Sequence, residues 1–157
     1  MEKIELKTVE EKQAACIFHS IPVASVGEDM GALLRQIFEW EAKNNLQMAG
    51  PPFSVYYSSP EEMQRGELKY EVGIPFVGEA RDEDDIRIKT FPARHVLSTI
   101  HKRPYRELGP VYAAVIEYLM KSDYEIAGAP MELYLNNPMD VPESELLTEV
   151  QVPVMKR

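Results

Sequence analysis

Hydrophobic and polar residues alternate along several short segments of the chain. Residues 4–8 read Ile-Glu-Leu-Lys-Thr and residues 86–90 read Ile-Arg-Ile-Lys-Thr, both with a period of two. This period predicts β-strands with one buried face. More continuous apolar runs at 14–20 and 96–101 predict that a second strand follows each of them.

Two longer segments carry apolar residues at helical spacing. Residues 29–44 and 109–121 each have a stripe at this spacing. It is made of Leu33, Leu34, Ile37, Phe38 and Glu41 in the first segment and of Val111, Tyr112, Val115, Ile116 and Leu119 in the second. An Ala-Gly dipeptide followed by proline ends each segment, because proline does not continue a helix.

A further pair of strands is predicted after each helix. These strands are residues 53–57 with 70–76, and residues 131–135 with 148–154. Each half of the chain therefore reads strand, strand, helix, strand, strand. The order predicts an α+β fold with antiparallel sheets.

The two halves are copies of one unit. When the sequence is shifted by 78 residues, Gly31 matches Gly109, Tyr56 matches Tyr134 and Pro75 matches Pro153 without a gap. Upstream, the matching shift is 82 residues. We therefore predict one domain over 1–157, built from two repeats at about 1–78 and 84–157 and joined by a solvated charged linker at 79–85. We expect a pseudo-two-fold axis and a central cleft between the repeats, where a ligand would bind.

Composition narrows the possible partners. The formal net charge of −9 argues against binding to nucleic acid, which needs clustered Lys and Arg. The single cysteine, Cys16, suits a reducing cytoplasm and is interpreted as a buried core residue. The first residues lack a signal peptide, and no apolar stretch is long enough to span a membrane. A cytoplasmic protein without a membrane partner is expected.

Alternation also suggests which residues lie on the sheet face away from the helix. In the strand pattern these are Ser54, Tyr56 and Glu71 in the first repeat and Glu132, Tyr134 and Glu149 in the second. Aromatic rings and carboxylates together suit a flat, lipophilic, often cationic ligand. The alternative is that these residues face water, as polar strand faces commonly do.

Three further side chains have two interpretations each. Trp40, on the first predicted helix, either packs against the core or contacts the ligand. His19 and His101 match each other across the repeats, but they have no cysteine or acidic neighbour at ligand spacing, so no metal site is predicted. Motifs for phosphate or dinucleotide binding are also missing, and no cofactor is expected.

Two sequence blocks in the second repeat resemble the GyrI-like small-molecule-binding family. They are Gly-Ala-Pro-Met-Glu-Leu-Tyr-Leu-Asn-Asn-Pro at 128–138 and the segment from Pro142 to Val154, which contains Glu145-Leu146 and Thr148-Glu149-Val150. The resemblance covers essentially the whole chain. The same domain forms the effector-binding part of AraC- and MerR-type multidrug regulators, and this chain resembles the stand-alone form.

The resemblance implies two β-β-α-β-β modules around a cleft that binds drug-like, often cationic molecules. A buried glutamate and nearby aromatic residues are the family's recognition groups. The ligand-binding residues implied here are Glu132, Tyr134, Glu149, Tyr56 and Trp40, and either glutamate could have the recognition role.

Some members of the family hydrolyse strained cyclopropane-type genotoxins. If this chain is an enzyme, Glu132, Glu149 and Tyr134 are the candidate catalytic residues of a cofactor-free hydrolase. An interaction with a protein such as gyrase is a third possibility. Small-molecule binding is the favoured function.

Overall fold

The computed structural model describes residues 3–102, 109–137 and 139–157. Pro138, which the repeat pairs with Pro60, lies outside the described residues. The fold is α+β with antiparallel strand pairs, as the sequence predicts.

The elements follow the predicted order, with several short additions. In chain order they are β1 (Glu5–Val9), β2 (Lys12–Pro22), α1 (Val26–Lys43), β3 (Gln47–Met48), β4 (Phe53–Tyr56), α2 (Pro60–Gln64), β5 (Glu67–Val77), β6 (Arg87–Phe91), β7 (Arg94–Lys102), α3 (Gly109–Met120), β8 (Tyr124–Ile126), β9 (Met131–Tyr134) and β10 (Leu147–Lys156). Two 3₁₀ turns lie at Val23–Ser25 and Glu143–Glu145. The sequence pattern missed β3, β8, α2 and both turns. The missed helix α2 begins with a capping box, in which the Ser59 and Glu62 side chains each bind the other residue's backbone N–H.

The described chain divides into two compact units. Unit 1 contains Met1–Glu10 and Ala93–Arg157, and unit 2 contains Glu11–Pro92. In unit 1 the strand order is β1-β7-β10-β9, and β8 also pairs with β10. In unit 2 the order is β4-β5-β2-β6, and β3 also pairs with β5.

The first strand of each repeat belongs to the unit formed by the other repeat. Strand β1 pairs with β7 in unit 1, and β6 pairs with β2 in unit 2. The boundaries of the compact units therefore fall near residues 10 and 92. The repeats, in contrast, meet in the linker at 79–85. Sequence similarity finds the repeats but does not show which sheet each first strand joins.

Matched backbone contacts accompany the sequence repeat. The Tyr57 N–H donates to the Lys69 carbonyl at 2.9 Å, and the Leu135 N–H donates to the Leu147 carbonyl at 3.0 Å. Each pair is the other shifted by 78 residues. The corresponding loops after α1 and α3 also agree, since Ala49 and Ala127 donate to the carbonyls of Pro75 and Pro153.

One helix covers one face of the sheet in each unit. In unit 2, Leu33 and Ile37 of α1 pack against a buried cluster that includes Val72 and Ile74 of β5. In unit 1, the residues packed together are Val111, Val115 and Leu119 of α3 with Val150, Val152 and Val154 of β10. Burial of these stripes is the main favourable term in docking each helix. We call the side that the helix covers the helix face of each sheet. The other side, which also buries side chains such as Phe53 and Met131, is called the open face.

Candidate functional site

The strand register places Glu132 and Glu149 on opposite faces of the unit 1 sheet. Glu132 lies directly across from Val150, whereas Glu149 lies across from Leu133. Because paired residues share a face, Glu132 is on the helix face with the valines. The prediction that Glu132, Tyr134 and Glu149 share the face away from the helix is therefore wrong. Alternation gives the faces within one strand, but a shift of one residue in register exchanges them between strands.

Unit 2 requires the same correction. Ser54 pairs with Val72 and Tyr56 pairs with Tyr70, so both lie on the helix face. Glu71 pairs with Val55 and lies on the open face. The predicted group of Ser54, Tyr56 and Glu71 is therefore divided between the two sides of the sheet.

Glu132 forms a cluster with two tyrosines on the helix face of unit 1. The Tyr112 hydroxyl donates to Glu132 Oε2 at 2.6 Å, and the Tyr134 hydroxyl donates to Oε1 at 3.2 Å. Glu132 and Tyr134 are each 8% exposed. Tyr112 comes from α3, so the cluster joins the helix to β9. Sequence reasoning placed Tyr112 on the apolar stripe and missed its contact with Glu132. The signal was available, since a tyrosine in a core stripe usually needs a partner for its hydroxyl.

Glu149 lies within a network of hydrogen bonds on the open face of unit 1. Its Oε2 accepts from Lys7 Nζ at 2.5 Å, Ser98 Oγ at 2.7 Å and Gln151 Nε2 at 2.8 Å. Burial alone would raise the pKa of Glu149, but the hydrogen bonds from Lys7, Gln151 and Ser98 and the lysine charge hold it below its usual value. Glu149 is therefore ionised, and the ammonium group of Lys7 balances its charge.

Glu71 is the equivalent of Glu149 in unit 2. Its Oε1 accepts from Lys89 Nζ at 2.8 Å and from the Tyr57 hydroxyl at 2.9 Å. Lys89 is the repeat equivalent of Lys7, so each first strand brings one lysine to the glutamate of the unit it joins. The two ion pairs therefore link β1 to the sheet of unit 1 and β6 to the sheet of unit 2.

Tyr56 and Trp40 lie in unit 2. The Tyr56 ring stacks on Tyr70, with ring centroids 6.1 Å apart and planes 13° from parallel. Trp40 is partly buried against the α1 core, and its Nε1–H donates to Glu83 Oε1 at 2.7 Å. Part of the Trp40 side chain thus packs against the core, and its indole N–H links α1 to the charged linker.

Glu41 is a buried carboxylate that the sequence pattern placed on the helical stripe but gave no role. It follows Leu33 and Ile37 on the buried stripe of α1 and is 3% exposed. Its Oε2 has no hydrogen-bond partner among the described residues. Burial raises the pKa of Glu41 from 4.5 to about 7. The repeat equivalent in α3 is Leu119, so a carboxyl group here occupies a core position.

The described residues contain neither a metal-binding group of side chains nor a membrane-spanning helix. Among residues 3–102, 109–137 and 139–157, no three His, Cys, Asp or Glu side chains are grouped so that they could hold a metal ion. In the same part of the chain, no helix has the length and apolar character needed to cross a membrane.

A family model matches almost the whole chain. The model for the GyrI-like small molecule binding domain matches residues 2–155. No curated protein sequence matches the chain.

Several solved structures share the fold. The C-terminal domain of EcmrR superposes with a TM-score of 0.85 and 20% identity, covering 100% of this chain and 99% of that domain. In the EcmrR–DNA complex the TM-score is 0.87 at 22% identity; the match covers 99% of this chain, which spans only 58% of the EcmrR chain.

Two more distant structures have the same fold. A hydrolase encoded by lin2189 from Listeria innocua has a TM-score of 0.72 and 12% identity, with 98% of this chain and 92% of that chain covered. The structure of SAV2435 bound to tetraphenylphosphonium has a TM-score of 0.64 and 10% identity, with 98% and 94% covered.

Proposed function

The chain belongs to the family of GyrI-like small molecule binding domains, and we propose that it binds a lipophilic organic cation at the Glu132 carboxylate. The observation that carries the proposal is the Glu132 cluster. A carboxylate that is 8% exposed is held on both oxygens by tyrosine hydroxyls. Two aromatic rings and one carboxyl group are therefore fixed at a single position.

This arrangement suits an aromatic or quaternary cation. The ring faces carry negative partial charge and attract cations, and they offer a large apolar contact area. A carboxylate withdrawn from water interacts more strongly with a bound cation than an exposed one would. The two hydroxyl donors orient the carboxylate before the ligand arrives, which reduces the cost of ordering it.

Glu149 is less suited to this role. Its Oε2 already accepts three hydrogen bonds, one of them from the Lys7 ammonium group. A cationic ligand would have to compete with that lysine. We assign the recognition role to Glu132, because its two tyrosine partners add aromatic rings to the carboxylate, and a structural role to Glu149.

The class of ligand draws support from a relative. SAV2435 was solved with tetraphenylphosphonium, a lipophilic cation without hydrogen-bond donors. Recognition of such an ion depends on charge and aromatic contact, the two properties that the Glu132 cluster supplies.

The test compares two ions of the same shape and opposite charge. Calorimetric titration should show that tetraphenylphosphonium binds the full chain more tightly than tetraphenylborate does. Glu132→Gln keeps the side-chain size and removes the charge. It should weaken tetraphenylphosphonium binding by roughly 10- to 100-fold, because a charge-assisted contact contributes about 1.5–3 kcal/mol.

Glu149→Gln provides the matched control, since it removes the other candidate charge. It should lower stability while changing the affinity for the cation less than threefold, with folding checked by circular dichroism. Equal affinities of the wild type and Glu132→Gln for the cation would overturn the proposal. A loss seen only with Glu149→Gln would move the site to the open face.

Hydrolysis is a second candidate for the same cluster. Glu132 could take a proton from water while the Tyr134 hydroxyl donates to the leaving group, because the two groups are 3.2 Å apart. One relative of the same fold is described as a hydrolase. Incubation with a cyclopropane-type alkylating agent, followed by mass spectrometry, separates the two functions. A product that adds one water and disappears in Glu132→Gln would favour the enzyme, whereas unchanged ligand would favour a binding protein.

A further inference from the structure

A row of three polar aromatic side chains crosses the helix face of unit 2. His19 on β2 pairs directly with Tyr70 on β5, and Tyr70 pairs with Tyr56 on β4. Residues paired in this way share a face, and neighbouring strands are about 4.8 Å apart. The row therefore spans roughly 10 Å, with His19 at one end and Tyr56 at the other.

Asp29 of α1 fixes the His19 ring. His19 Nδ1 lies 3.0 Å from both carboxylate oxygens of Asp29, and the Tyr70 hydroxyl donates to Oδ2 at 2.6 Å. A carboxylate accepts hydrogen bonds, so the proton of neutral His19 belongs on Nδ1. Nε2 then carries the lone pair. In this tautomer, His19 Nε2 is therefore a hydrogen-bond acceptor.

Both ends of this row remain partly accessible. The His19 side chain is 36% exposed and that of Asp29 is 19% exposed. Tyr56 is also partly exposed, whereas Tyr70 between them is fully buried. His19 and Tyr56 are therefore the members of the row that a ligand can contact.

We propose that this row is a second ligand site, which takes an aromatic compound of about two fused rings that carries one hydroxyl or N–H donor. The ligand ring contacts Tyr56, and its donor binds His19 Nε2. Asp29 and Tyr70 act as positioning residues, because they hold the tautomer and do not contact the ligand. The site uses only residues of unit 2, so its test does not depend on the Glu132 cluster.

The test uses 2-naphthol and its methyl ether, which differ only in the donor. Titration followed by ligand fluorescence should give tighter binding of 2-naphthol to the full chain. His19→Gln should weaken 2-naphthol about 3- to 10-fold and leave the methyl ether within twofold, as expected for one neutral hydrogen bond. His95→Gln is the matched control: His95 also has a hydrogen-bonded Nδ1, 3.1 Å from Thr8 Oγ1, but lies in unit 1.

A spectroscopic measurement tests the tautomer without relying on affinity. Long-range ¹H–¹⁵N correlation of the histidine rings should show the proton of neutral His19 on Nδ1 and a shift of Nε2 when 2-naphthol is added. Asp29→Asn should reduce the population of that tautomer. The proposal is overturned if the proton is found on Nε2, if 2-naphthol and its ether bind equally, or if neither compound binds.

Discussion

Replacing Glu41 with leucine should stabilise the protein at neutral and alkaline pH. The carboxyl group is 3% exposed, and its Oε2 has no hydrogen-bond partner among the described residues. Leucine is the residue that the other repeat has at this position, Leu119, where it is buried in the α3 core. The substitution therefore replaces a poorly satisfied polar group by one that an equivalent site already accommodates.

The size of the effect follows from the pKa of Glu41. Burial raises it from 4.5 to about 7, and each pKa unit corresponds to about 1.36 kcal/mol. Ionisation of Glu41 thus lowers the free energy of unfolding by about 3 kcal/mol, a loss that a residue without a titratable group would not cause. A group with a raised pKa contributes stability that is fully present below the unfolded pKa of 4.5 and is lost as pH rises through 7.

Denaturant unfolding of the wild type and Glu41→Leu between pH 4.5 and 8.5 tests this sign and size. The stability advantage of the leucine variant should grow by about 2–3 kcal/mol over that range, mostly between pH 5 and 7.5. Near pH 8, a difference of this size corresponds to roughly 4–12 °C in Tm for a protein of this length. Glu39→Leu, on the exposed side of the same helix, should show no such growth. A pH-independent difference for Glu41→Leu would refute the reasoning.

Two further outcomes follow from local packing and charge. Gly73→Ala should destabilise by about 2 kcal/mol or more in urea unfolding, because its Cβ would lie 2.6 Å from a buried phenylalanine ring and 2.9 Å from Cys16 Sγ. Gly31→Ala, in α1 with nothing within 4 Å, should instead stabilise by up to about 1 kcal/mol, and the opposite order would contradict the packing. Lys7→Met should cost about 1–2 kcal/mol at pH 7, since Glu149 loses its ammonium partner. This cost should shrink as acid protonates Glu149, whose pKa the native contacts depress, and a cost that stays constant down to pH 3 would argue against the ion pair.

The sequence predicts the elements of this fold well because local patterns decide them. The predicted strand at 148–154 lies within β10, and the predicted helix at 109–121 differs from α3 by one residue. Alternation and helical spacing act within single segments, and the gapless repeat gives two independent readings of each segment. The relation between neighbouring strands is different. It depends on register, which no segment encodes by itself.

The sequence singles out two members of the Glu132 cluster but not the arrangement of the cluster. Glu132 and Tyr134, which the sequence pattern placed on one face, share that face and are in contact, whereas Glu149 lies on the other side of the same sheet. Tyr112, the second tyrosine of the cluster, comes from a helix 20 residues earlier in the chain. The sequence also does not show that β1 joins the sheet of unit 1 and β6 the sheet of unit 2. The two strands have nearly the same pattern of apolar and polar residues, so the pattern fits either sheet.

Comparison of the two repeats separates residues that maintain the fold from residues that distinguish the units. The open faces keep the same ion pair, with Lys7 on Glu149 and Lys89 on Glu71. The helix faces differ at several positions, among them the pairs Ser54 and Glu132, Leu34 and Tyr112, Glu41 and Leu119, and Tyr70 and Thr148. Each pair puts a carboxylate or a tyrosine in only one of the two units. Buried polar groups are costly, and every such group must be satisfied or have another use. These helix-face positions are therefore where the two units differ in buried carboxylates and tyrosines, whereas the lysine–glutamate pair is a feature that both open faces retain.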